Sequence, residues 1–86
     1  MGDIHSHRYK KLLELLRHER IARDLTQQDV AGRLGKLQGY VSKYENGERE
    51  ISLLDYLDIA QAIGFEPLKL LGKIAAKPAR IERLFK

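Results

Sequence analysis

The chain has 86 residues, 16 Lys/Arg against 12 Asp/Glu for a formal charge of +4, and no cysteine. That length makes one domain with a small core, too little for a large enclosed active site beside a separate regulatory module. The missing thiols exclude a disulfide framework and a thiolate metal site, and no apolar run approaches the ~20 residues of a membrane span.

The positive charge favours a polyanionic partner, but it is unevenly spread. Residues 1–23 carry six Lys/Arg against three acids, residues 24–68 four against eight, and residues 69–86 six against one. Attraction to phosphates in the acidic middle therefore falls to Arg33, Lys36, Lys43 and Arg49, helped by the basic ends. The amino-terminal stretch lacks the apolar centre of a secretion signal, so the expected location is cytoplasmic.

In chain order, the first helix is predicted over 7–23, with Tyr9, Leu12, Leu13 and Leu16 on one face and Arg20 continuing it. Asp24 tolerates the left-handed conformation better than most residues and suits the turn that follows. Thr26 is a good N-cap and Asp29, three residues on, can bond back to it, so a second helix begins at Gln27 and buries Val30, Ala31 and Leu34. Gly35 ends that helix without steric cost. The third helix, roughly 37–46, buries Val41 and Tyr44 while Gln38, Gly39, Ser42 and Lys43 point away. Gly47 stops it. Ser52 and Asp55 form a second capping box for a fourth helix through Ile63, with Leu53, Tyr56, Leu57, Ala60 and Ile63 facing the core. Gly64 ends it, Phe65 drops inward, and Pro67 opens a fifth helix running to about Ala76. Pro78 breaks the chain before one or two further turns over 79–85.

The spacing of Gln27, Ala31, Gly35 and Val41 describes two short helices crossed over a tight turn, the second with a polar outer face. Small Ala31 lets that second helix cross close by. Together with the run YVSKYENGER over 40–49, LTQ at 25–27 and the later Ser52 and AQAIG at 60–64, this stretch resembles the lambda-repressor/Cro-type, or xenobiotic-response-element type, helix-turn-helix family. The resemblance covers 25–71, about half the chain, and implies an all-α, compact five-helix DNA-binding domain over 1–76 with a short basic C-terminal helical extension over 77–86. It also reaches back to Arg20, implying a partly buried structural ion pair between Arg20 and Glu45. The sequence departs from the family pattern at Lys36 and Leu37, where an apolar residue followed by Ser or Thr is usual.

Base contacts are assigned to Lys36, Gln38, Gly39, Ser42 and Lys43, since the Gln38 amide can donate to N7 and accept from N6 of one adenine while its neighbours face the same way. Phosphate contacts are assigned to Gln27, at the positive end of the second helix, to Tyr40 and Arg49, and to Asn46, whose role is what the resemblance implies. Tyr40 has packing against the second helix as its alternative role. The expected activity is that of a sequence-specific double-stranded DNA-binding regulator, a repressor acting as a homodimer on a palindromic site.

His5, His7 and His18 lack the partners of a metal site, no nucleophile has a base beside it, and neither catalysis nor a cofactor is expected. A rival reading keeps the fold as a protein-interaction module, such as an antitoxin or adaptor docking through the C-terminal apolar stripe of Leu70, Leu71, Ile74, Ile81, Leu84 and Phe85. RNA recognition lacks an aromatic stacking platform.

Overall fold

Local signals place five helices in the computed structural model, which describes residues 6–75. They are α1 (His7–Ala22), α2 (Gln27–Leu34), α3 (Gln38–Glu45), α4 (Leu53–Ile63) and α5 (Pro67–Ala75), with no strand among the described residues. The predicted extension over 77–86, including Ile81, Leu84 and Phe85, lies outside them, as does His5.

The helix starts follow from side chains that satisfy the first free backbone N–H groups. Ser6 accepts from the Tyr9 N–H at 3.1 Å at the head of α1. Thr26–Asp29 and Ser52–Asp55 form reciprocal capping boxes at α2 and α4, with all four bonds between 2.9 and 3.0 Å. Accepting the Thr26 backbone and side-chain donors holds the Asp29 carboxyl below the ordinary carboxylate range, and Ser52 does the same for Asp55. Asp24 sits at φ 56°, completing the turn after α1.

The core gathers Leu13 and Leu16 of α1, Val30 and Ala31 of α2, Val41 and Tyr44 of α3, Ile51, and Tyr56, Ile59, Ala60 and Ile63 of α4, closed by Phe65 and Leu70. α2 packs on α3 and α4, while α1 packs on α3 and α5. Two sequence expectations need correction here. Leu53 and Leu57 do not face the core; they are 66% and 40% exposed, and Ile59 is fully buried instead. The buried arc of α4 is centred on Tyr56, Ile59 and Ile63, and each residue advances about 100°, so Leu57 falls on its flank. Leu70, assigned to a partner-facing stripe, is 2% exposed within the domain's own core, with Leu71 and Ile74 half-buried against it. The exposed large apolar side chains are instead Ile21, Leu37, Leu53, Leu54, Leu57 and Leu68.

Tyr44 is fully buried, and among the described residues its hydroxyl has no hydrogen-bond partner. Burial, then the neighbouring Glu45 charge, pushes its pKa well above the ordinary phenol value. An unpaired buried hydroxyl costs about 1–3 kcal/mol of desolvation. The Tyr44→Phe variant is therefore expected to unfold at the same urea concentration or higher, a gain of up to about 1 kcal/mol. A clear loss would mean that the hydroxyl is bonded in solution.

Candidate nucleic-acid interface

The turn joining α2 to α3 depends on Gly35, whose φ of 70° a side chain would strain. The Lys36 N–H then donates back to the Ala31 carbonyl at 2.8 Å, folding the chain over the end of α2. Ala31 is buried where α3 crosses, and its small side chain allows the close approach. Leu37 caps α3 with extended backbone but no side-chain bond, and its own side chain is exposed. The helical residues thus start at Gln38 and end at Glu45, with Leu37 and Asn46 as caps outside them.

Gln38, Gly39 and Lys43 lie exposed along the outer face of α3, and Ser42 is half-exposed beside them. Behind this face runs a polar chain that sequence spacing does not reveal. Arg20 donates from Nε to Glu45 Oε2 at 2.7 Å and from Nη2 to Glu45 Oε1 at 3.1 Å, while its Nη1 donates to the Leu25 carbonyl at 2.8 Å. The two side chains are 11% and 3% exposed. Gln27 Nε2 donates to Glu45 Oε1 at 3.0 Å, and Gln38 Nε2 donates to Gln27 Oε1 at 3.1 Å.

The direction of these bonds is chemically determined. An ionised carboxylate only accepts, so Gln27 must turn its NH2 toward Glu45 and its oxygen toward Gln38. Gln38 must then offer an NH2 hydrogen inward. Its second N–H and its Oε1 remain for a ligand outside. The Gln27 side chain, assigned to a phosphate from sequence, is the link in this chain in the free protein.

On the other flank of α3, Tyr40 is half-buried, its ring edge-on to Tyr44 at 5.6 Å between centroids. Lys36 Nζ lies 5.2 Å and Arg49 Cζ 5.0 Å from the Tyr40 ring centroid. Burial and the Asp55 charge raise the Tyr40 pKa, opposed by Arg49. Asn46 is exposed at the end of α3, its N–H donating to the Ser42 carbonyl at 3.1 Å, and Gly47 follows at φ 77°. Arg33 is drawn the other way: it donates to the Ala62 carbonyl at 2.8 Å, tying α2 to the end of α4.

Known proteins share this fold. A family model described as helix-turn-helix matches residues 16–71, from the second half of α1 into α5. The chain belongs to the XRE-type helix-turn-helix family. An XRE-family-like protein from Pseudomonas syringae pv. tomato is 44% identical, with a TM-score of 0.78 over 83% of this chain and 87% of that one. The restriction-modification controller protein C.AhdI from Aeromonas hydrophila is 37% identical, with a TM-score of 0.64 over 70% of this chain and 91% of that one. No curated protein matches. As an XRE-type helix-turn-helix protein the chain is an all-α DNA-binding transcription regulator. Among the described residues no helix is long and apolar enough to cross a membrane.

Proposed function

We propose that this XRE-type regulator reads a specific duplex sequence by inserting α3 into the major groove, and that it acts as a cytoplasmic repressor. The observation carrying this reading is the oriented Gln38 amide, with one donor and one acceptor left outward, the pair that adenine N7 and N6 require. Gly39, Ser42 and Lys43 complete the base-facing surface. The α2 N-terminus at Gln27, together with Asn46 and Arg49, grips the backbone on either side, with the Tyr40 ring packed beside Arg49.

The protein acts on this reading as a symmetric homodimer, with half-sites about one helical turn, ~34 Å, apart. Leu53, Leu54, Leu57 and Leu68 support the dimer, since each is a large apolar side chain exposed on the single chain. The same leucines are what favours the rival, a protein-interaction module such as an antitoxin or adaptor. Selection of bound sites from random duplex DNA separates the two. A palindrome recovered from the pool supports the dimeric reader, and no enrichment over the starting pool would overturn it.

Gly39 provides a local check. A Cβ built there meets nothing within 4 Å, so the protein's own packing does not require glycine. Glycine inside a helix costs up to about 1 kcal/mol against alanine. Gly39→Ala is expected to raise the unfolding midpoint while weakening duplex binding, because the methyl group intrudes where α3 meets the groove. Tighter or unchanged binding would remove Gly39 from the contact surface.

A further inference from the structure

We propose that Tyr40 is a positioning residue whose ring holds the Lys36 and Arg49 cations together as one clamp for backbone phosphate. The inference rests on the duplex-binding reading above and moves Lys36 from the base-reading set to the backbone-gripping set. Lys36 comes from the turn before α3 and Arg49 from the loop after it, yet both charged ends converge on a single ring in the first turn of that helix. The electron-rich ring face attracts each cation. Tyr40 is itself braced, edge-on against the fully buried Tyr44.

Among the described residues neither cation forms an ion pair. Both cations help hold the Asp55 carboxyl below the ordinary carboxylate range, but that carboxyl is engaged with Ser52. The cations lie 5.2 Å and 5.0 Å from the centre of the same ring, so two positive charges stand beside one aromatic face or edge with no carboxylate paired to either. An anion bound by both supplies the missing countercharge. A duplex phosphate beside the groove occupied by α3 has the required charge and position. The ring prepays part of the ordering of two long, flexible side chains, so that less freedom is lost when the phosphate arrives.

The test separates ring from hydroxyl. Affinity is measured across a salt series for the duplex recovered by selection and for a scrambled duplex of equal composition. Tyr40→Phe keeps the ring and is expected to stay within about twofold of wild type on both. Tyr40→Leu is expected to weaken both duplexes alike, by about tenfold, and to flatten the dependence of log Kd on log salt. Lys36→Ala weakens both duplexes equally, and its loss, like that of Arg49→Ala, is smaller in the Tyr40→Leu background than in wild type.

A measurement on the free wild-type protein guards against a Tyr40→Leu variant that does not fold: the Lys36 ε and Arg49 δ protons should carry upfield ring-current shifts. Equal losses for Tyr40→Phe and Tyr40→Leu would assign the contact to the hydroxyl and overturn the proposal. Strictly additive losses, or absent ring-current shifts, would overturn it as well. Should the wild-type protein bind no duplex, the function proposed above falls and the clamp with it; should it bind while the couplings vanish, only the clamp falls.

Discussion

Arg20→Ala is expected to lower the unfolding free energy by about 3–5 kcal/mol, with Glu45→Ala costing a comparable amount. The guanidinium and carboxylate are almost wholly withdrawn from water, so removing one leaves the other charged, dry and short of partners. Without Arg20, Glu45 keeps only the neutral Gln27 donor. Without Glu45, Arg20 keeps only the Leu25 carbonyl. Domains of this kind are stable by about 5–15 kcal/mol, so either loss removes a large share of the total. Urea unfolding measures it directly, with an unchanged slope confirming that native stability has moved and not the compactness of either state.

Replacing both residues by methionine distinguishes the two roles of the pair. A buried ion pair exchanged for well-packed apolar side chains is often neutral in stability, so most of the loss should return. The orientation of Gln27 should not return, because nothing then obliges its NH2 to point inward. The double variant is therefore expected to fold nearly as well as wild type and to discriminate between duplexes less well. Full discrimination in that variant would show that the polar chain is not what aims Gln38.

Gln38→Ala carries the second large effect, about 1–3 kcal/mol lost on the selected duplex, or roughly fivefold to more than a hundredfold in affinity. The loss should be confined to one base position per half-site, since the outward donor and acceptor of a single amide read a single base edge. Scrambled duplexes should be nearly unaffected. From sequence alone Gln27→Ala is expected to weaken all duplexes alike, as a phosphate contact does. The bond from Gln38 Nε2 to Gln27 Oε1 changes that expectation: Gln27→Ala should reproduce part of the specificity loss by freeing the Gln38 amide to rotate. Competition binding with single-base substitutions across the site reads both outcomes. Equal losses on cognate and scrambled duplexes for Gln38→Ala would remove that residue from base reading.

Features legible in the sequence are those decided by neighbours in the chain. The two capping boxes, the left-handed stops at Gly35 and Gly64, Asp24 in its turn and Pro67 at the head of α5 each depend on residues within four positions of one another. The polar face of α3 follows from helical period for the same reason. What periodicity leaves open is which arc of a helix meets the core. Leu53 and Leu57 are as apolar as Ile59, and only the directions from which α2 and α5 approach α4 decide that Ile59 is buried.

The site divides along the same line. That Gln38 and Lys43 project outward is a matter of helical phase within α3. That Gln38 leans on Gln27, eleven residues earlier, depends on how closely α3 crosses α2, a property of Ala31 and Gly35 acting together. The convergence of Lys36 and Arg49 on Tyr40 is likewise set by two loops that meet only after folding. Arg33 shows the reverse case: composition counts it as a cation for DNA, and the fold uses it to cap the end of α4.

In the proposed complex the outer face of α3 meets the duplex. Titrating isotope-labelled protein with the duplex recovered by selection, and following amide and side-chain resonances, tests it most directly. The largest changes are expected on the side-chain amides of Gln27 and Gln38 and on residues 36–46. Changes concentrated on Leu53, Leu57 and Leu68, with the Gln38 side-chain amide unmoved, would contradict it.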